Sequence, residues 1–420
     1  MEKANDMKTT RRRFLQTAAA ASIAVPTIIP KSALGDDANA PASERVTLGH
    51  IAVGGRGTAV MRGFRSCRNA QSVAVADCFK DRVDHRAQLI GGKGYQDFRD
   101  LLARKDIDAV AICSPDHWHV PLAVAAAKAG KDAYVEKPLG MSIEQNQICR
   151  KAFRDNERMF QYGTQQRSSR HCHFGCELVR RGLIGEVHTI EVIAPNGGKG
   201  GSTAEAPLPQ GLDYEMWLGP APVSPYTSDR CKPPGTYWIY DQSIGYLAGW
   251  GAHPLDIMVW GSDADLSGNV EIEGTGMIPT EGLYDCVYNW DMKGKFGKVN
   301  FTFKPGGDST KFIGTDGWVQ VRRGGIDAEP KSLLQTKLDG DMKLVKSGNH
   351  AQNFVDSVIS REDPVSNIED AVRSDVISHL CDIAVRLDRK VTWDPKEEKI
   401  LGDDEATKLL KRPMREPWTL

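Results

Sequence analysis

Glu136-Lys137-Pro138 stands about 80 residues after Gly54-Gly55-Arg56-Gly57. The first motif offers a lysine for proton chemistry, the second a turn for phosphates. A glycine turn between a strand and a helix aims backbone N–H groups and the positive helix end at a pyrophosphate. The turn reads Ala52-Val53-Gly54-Gly55-Arg56-Gly57, so Ala52 occupies the place of the first glycine in G-x-G-x-x-G. Gly54 and Gly57 keep the positions that permit close approach and tight packing. Asp77 follows Gly57 by 20 residues, at the end of a second apolar run. A carboxylate there accepts from both ribose hydroxyls and repels a 2′-phosphate, which favours NAD; Lys80 and Arg82 close by leave NADP open.

In a site closed over an apolar ring, beside an oxidised nicotinamide, the Lys137 ammonium is disfavoured and the amine can share in proton transfer. His253 is the second candidate, because an imidazole titrates near neutral pH without large perturbation. Ser114, His117, Trp118 and His119 follow an apolar run and lead into an alanine-rich stretch, which places them at the strand ends where ligands bind. With Gly54, Gly55, Arg56, Gly57, Asp77, Glu136 and Lys137 they form the expected cofactor-binding set. Arg167 has the planar fork for substrate oxygens, and Tyr237, Trp238, Tyr240 and Trp250 supply aromatic faces suited to a sugar ring. No metal site is expected: His117 and His119 lack a third ligand, and Cys172 and Cys176 sit in no zinc pattern.

These residues need a scaffold, and from Arg45 short apolar runs alternate with helical stretches, the signature of βα units on a parallel sheet. Strands are predicted over 46–53, 73–76, 109–113, 133–135 and 159–162, with helices over 58–67 and 121–128. Beyond Gly163 the pattern turns to strands at 187–193, 286–290, 298–303 and 318–322, with helices at 174–181, 349–359 and 368–386. The fold class is therefore α/β: a Rossmann dinucleotide-binding domain over 44–165, then an α+β domain with a large, mostly antiparallel sheet over 166–420. The glycine-rich stretch 195–209 reads as a mobile surface excursion or a lid.

Thr10-Arg11-Arg12-Arg13-Phe14-Leu15 precedes an apolar, alanine-rich stretch ending near Pro30. This reads as a twin-arginine export signal with its linker over 1–43, implying the export machinery as a partner and a periplasmic or other extracytoplasmic location. The stretch is shorter than the roughly 20 residues of a membrane-spanning helix and contains Pro26, so no stable span is expected. The net charge of −1, with acidic and basic residues interspersed, provides no footprint for nucleic acid. Nine scattered cysteines without a Cys-x-x-Cys argue against a disulfide framework.

Taken together the motifs resemble the Gfo/Idh/MocA family, the group of glucose-fructose oxidoreductase and inositol dehydrogenase, in its exported branch. The resemblance is carried by the glycine loop, Ser114-Pro115-Asp116-His117-Trp118-His119, Glu136-Lys137-Pro138-Leu139-Gly140, Gly163-Thr164-Gln165-Gln166-Arg167, Trp217-Leu218-Gly219-Pro220, Gly251-Ala252-His253-Pro254-Leu255-Asp256 and the tail from Arg412 to Trp418. It implies a cis bond at Pro138, homo-oligomers built on the second domain's open sheet face, and an active-site Asp on either side of His253. Asp256 matches the later one and joins the expected substrate set; the earlier position is Gly249. The function so implied is an NAD(P)-dependent oxidoreductase moving a hydride between nicotinamide and a CH–OH group of a sugar, cyclitol or related polyol. Two alternatives stand beside it, glycoside cleavage through transient oxidation and a non-catalytic dinucleotide- or sugar-binding protein.

Overall fold

The structure, a computed structural model, describes Pro41 and residues 44–420. The export-signal expectation lies outside the described residues. Among these, no helix is long and apolar enough to cross a membrane.

Six parallel strands form the first sheet: β1 Val46–Ile51, β2 Ala70–Ala76, β3 Lys93–Tyr95, β4 Ala109–Ile112, β5 Asp132–Val135 and β6 Phe160–Tyr162, in the order β3-β2-β1-β4-β5-β6. Every residue of β4 and β5 is buried, as expected of central strands covered on both faces. The order reverses between β1 and β4, and the glycine turn and Ser114 leave the sheet at this switch point, where doubly wound sheets bind ligands.

The second sheet has nine strands: β7 Val187–Ala194, β8 Val270–Met277, β9 Asn289–Phe296, β10 Val299–Pro305, β11 Ser309–Gly314, β12 Gly317–Arg322, β13 Gly325–Glu329, β14 Val391–Asp394 and β15 Lys399–Ile400. Only the β7–β10 pairing is parallel. Along β9, Trp290, Met292 and Phe296 are buried while Asp291, Lys293 and Lys295 are exposed, so one face meets the core and the other is polar. Helices Arg170–Arg180, Ala252–Ser262 and Ile368–Leu387 cover the inner face.

Three expectations are corrected. The strand expected over 286–290 starts three residues later and runs to Phe296, because Cys286 and Val287 are buried in the preceding turn. The helix His350–Ser360, assigned by sequence to the second domain, packs on the first sheet. There Phe354 lies edge-on to Phe64 at 5.8 Å, in one cluster with Val46, Leu48 and Tyr134. The 195–209 stretch is pinned rather than free: Gly197 N–H donates to the Tyr288 carbonyl, and Gly200 O accepts from Leu283 and Tyr284.

Candidate active site

The helix Gly55–Arg65 begins at Gly54 with no side-chain cap and no acidic residue in its first turn, so its leading N–H groups face the cleft. A Cβ on Gly57 would lie 1.9 Å from the Ala52 carbonyl oxygen, which fixes glycine there; one on Gly55 would meet nothing within 4 Å and would point into open space. Ala52 has φ 64°, so the first fingerprint position keeps the left-handed turn without the glycine that favours it. Ala52→Gly is therefore expected to stabilise the fold by about 1 kcal/mol. A thermal midpoint that does not rise would contradict this.

Asp77 sits at the end of β2, 7% exposed. Its Oδ2 accepts from Val53 N–H at 2.8 Å and its Oδ1 from Phe79 N–H at 3.0 Å. The two bonds aim the carboxylate into the cleft. Burial pushes its proton affinity up, while Arg82, 3.7 Å away, and the backbone donors work in the opposite direction. The Arg82 guanidinium carbon lies 3.8 Å from the centre of the Phe79 ring, and the side chain passes beside Gly54.

The cleft holds about 930 Å³, its open mouth included, and runs from Asp77 and Phe79 past Gly54–Gly57 to Ser114, Trp118 and Tyr237. Part of its wall comes from the second domain, through Met216, Trp217, Cys231 and Thr236. That segment is tied to the first domain by backbone bonds just after β2, Lys80 N–H to Gly211 O at 3.0 Å and Asp213 N–H to Cys78 O at 2.9 Å. Trp118 donates its indole N–H to the Met216 and Trp217 carbonyls at 3.0 and 3.2 Å, and Trp418 of the C-terminal tail packs edge-on against it at 4.8 Å.

These residues fit a dinucleotide. A helix start without a cap faces the cleft beside a carboxylate oriented by two backbone N–H groups. The Ser114 hydroxyl at the cleft wall is buried with no protein partner.

Lys137 and His253 do not line this cleft, but the Lys137 charge acts on the His253 ring. The Lys137–Pro138 bond is cis, as the resemblance implied, and Lys137 Nζ donates to the Gly249 carbonyl at 2.6 Å. Burial lowers the Lys137 amine from the usual lysine range; Glu136 and Asp116 pull it up, Arg56 and Arg323 push it further down. His253 is 2% exposed, with Nδ1 lacking a partner. Burial first, then the Lys137 and Arg323 charges, hold it well below the usual histidine range, so the ring is neutral at pH 7. Trp250 stands edge-on to it at 5.6 Å, with the Arg323 guanidinium 4.7 Å over the indole.

Several expected binding residues have other duties. Arg167 cannot grip a substrate: it is 1% exposed, forks onto Asp256 at 2.8 and 2.7 Å, and gives Nη1 to Asp370 and the Val365 carbonyl. Asp256, fully buried in that pair, is withdrawn with it. Tyr240 cannot stack on a sugar, because Arg386 and Arg412 lie 3.3 and 3.5 Å from its ring and its hydroxyl donates to Asp382. His117 turns its Nε2 to the Trp217 carbonyl, away from the cleft. His119 staples the site, its nitrogens 2.6 Å from Pro138 O and 2.9 Å from Ser114 O. Glu136 gives its Oε1 to Arg56 and the Tyr134 hydroxyl; burial works to raise its pKa, and the Arg56 and Lys137 charges outweigh that and hold it below the usual range. Its role is to hold the Arg56 guanidinium at the cleft.

Sequence reasoning weighed Arg82 only against a 2′-phosphate and Tyr237 only as a face for a sugar ring, and it missed Arg323 and Asp116 as site residues. Arg323, in the β12–β13 turn, has no sequence signal, whereas Asp116 sits inside a motif already singled out.

Residues 49–164 match the family model described as "Oxidoreductase family, NAD-binding Rossmann fold", and residues 197–420 that described as "Oxidoreductase family, C-terminal alpha/beta domain". Among curated proteins, a "Glycosyl hydrolase family 109 protein" of Shewanella pealeana is 30% identical over 162 residues, 33% of this chain and 36% of that protein. Another of that name from Shewanella amazonensis is 38% identical over 133 residues, 29% of each chain. The matched segments thus span about a third of these relatives' length. Among solved structures, scyllo-inositol dehydrogenase from Lactobacillus casei, with bound NAD(H) and scyllo-inositol, superposes with a TM-score of 0.60 at 17% identity, over 83% of this chain and 99% of that one. Aldose-aldose oxidoreductase from Caulobacter crescentus gives 0.60 at 16%, over 83% and 99%.

Proposed function

Because the chain belongs to the Gfo/Idh/MocA oxidoreductase family, whose first domain is an NAD-binding Rossmann fold, we propose that it oxidises a CH–OH carbon of a sugar, cyclitol or related polyol with NAD. The observation that carries this reading is the convergence of Lys137 and a neutral, buried His253 beside a cleft that fits a dinucleotide. Gly54, Gly55, Gly57 and the helix start would hold the pyrophosphate, Asp77 the adenosine ribose, and Ser114 and Trp118 the nicotinamide end. Bound there, the oxidised nicotinamide supplies the acceptor for a hydride from the substrate carbon. His253 takes the hydroxyl proton. Lys137, with one N–H fixed on Gly249 O, points its others at the same oxygen and stabilises the negative charge that grows as the proton leaves.

The second reading, glycoside cleavage through transient oxidation, is supported by the segment 211–237, which covers one side of the cleft. A cofactor so covered is best regenerated in place, and the relatives' name, glycosyl hydrolase family 109, agrees. Single-turnover mixing with a panel of polyols and glycosides tests both. The first reading predicts reduction of bound nicotinamide that persists until a keto acceptor is added. Sugar release without any acceptor supports the second, and no reduction with any compound would sink both. We further propose twin-arginine export, tested by periplasmic fractionation of wild type and an Arg11/Arg12→Lys variant, and association of copies through the polar face of the nine-stranded sheet.

A further inference from the structure

The turn 249–253 joins the two groups assigned to proton chemistry. Lys137 Nζ donates to Gly249 O at 2.6 Å, and the next residue, Trp250, stands edge-on to the His253 ring at 5.6 Å. Lys137, Gly249 and Trp250 are partly exposed, whereas Glu136, Pro138 and His253 are buried. A substrate oxygen that reaches Lys137 and His253 from solvent therefore passes Trp250.

Over Trp250 lies Arg323, its guanidinium carbon 4.7 Å from the ring centre. Arg323 opens the two-residue turn between β12 and β13, whose register pairs Arg322 with Gly325 and so fixes its backbone. The contact with the indole holds the guanidinium in place and uses none of its five N–H donors. Arg323 is exposed, and among the described residues no carboxylate pairs with its guanidinium and no acceptor is bonded to it. The neighbouring carboxylates are engaged elsewhere: Glu136 by Arg56, Asp116 by the Ser243 hydroxyl, and Asp308 by the Gln166 amide at 3.0 Å. Asp308 feels the Arg323 charge but forms no contact pair with it. The neighbours that act on the His253 ring by charge, Lys137, Arg323, Arg56 and His350, are all basic residues. A fixed, unpaired guanidinium at the approach to such a site is arranged to take an anion, and its planar fork matches a carboxylate or sulfate edge.

We propose that Arg323 is a specificity-determining residue and that the substrate is an anionic sugar, whose carboxylate or sulfate ester docks on the Arg323 fork while its ring lies along the turn 249–253. This deepens the reading of the site as a polyol oxidoreductase and rests on Lys137 and His253 marking the reacting carbon. A neutral sugar leaves the Arg323 donors to water, so the gain is confined to substrates that carry the charge.

The test is calorimetric binding to the full-length protein loaded with NAD. D-glucuronate and D-glucose 6-sulfate are compared with D-glucose, and D-galacturonate with D-galactose. An anionic member is expected to bind about 10- to 100-fold more tightly than its neutral counterpart, the range that hydrogen bonds to a charged group supply. Arg323→Gln, a change in an exposed turn, is expected to bring that anionic sugar down to the level of the neutral one. A preference for the uronates assigns a carboxylate, and a preference for the 6-sulfate assigns a sulfate ester. Equal binding of charged and neutral members, no binding of any anionic member, or an advantage that survives Arg323→Gln overturns the proposal. Nicotinamide absorbance recorded on the same mixtures separates the two readings. An anionic sugar bound through Arg323 without reduction keeps the subsite and sinks the oxidoreductase reading, whereas reduction by neutral sugars alone keeps that reading and overturns the subsite.

Discussion

Lys137→Ala keeps its dinucleotide and loses substrate-driven reduction by about 10²- to 10⁴-fold, the range for removing a positioned proton-transfer or charge-stabilising group. Retention follows from the architecture, since the proposed pyrophosphate and ribose contacts are Gly54–Gly57 and Asp77, which line the cleft, and Lys137 does not. The rate loss follows from the fixed bond to Gly249 O, which orients the amine before substrate arrives. Measured by single-turnover absorbance with cofactor content checked on the same sample, equal rates in the two proteins would remove Lys137 from the chemistry. His253→Asn, which keeps the shape and deletes the base, is expected to fall in the same range.

Arg167→Leu destabilises the fold by about 3–5 kcal/mol, the cost of stranding a buried charge. Asp256 is wholly buried and both its oxygens accept from this one guanidinium. The double variant Arg167→Met/Asp256→Leu removes both charges and is expected to recover most of the loss. Denaturant melts of the three proteins decide between this and a substrate grip: a gripping arginine would leave stability unchanged and raise KM instead.

The contrast between these two residues explains what was legible in the sequence. Gly54, Gly57, Asp77 and Lys137 carry local signals, because a turn, a strand end or an X-Pro bond dictates their use within a few residues. Arg167 meets partners 89 and 203 positions away, and no local pattern shows that its donors are already taken. Tyr240 is similar, its faces covered by Arg386 and Arg412 from the far end of the chain. The helix Ala252–Ser262 is buried on every side for ten residues and so lacks the one-sided periodicity that announces a helix. The helix His350–Ser360 has that periodicity, but amphipathic pattern shows that a face is buried and not which sheet buries it. Asp116 was visible in its motif, yet the Ser243 hydroxyl that donates to it lies 127 positions away and left no local sign.

The central claim, a resident dinucleotide serving Lys137 and His253, is tested most directly by releasing and weighing whatever small molecule accompanies the purified folded protein. The account predicts NAD or NADH close to one mole per chain, lost in an Asp77→Ala/Gly57→Val variant. A folded protein that carries no dinucleotide and fails to bind it when added would contradict the account and bring forward a binding function without turnover.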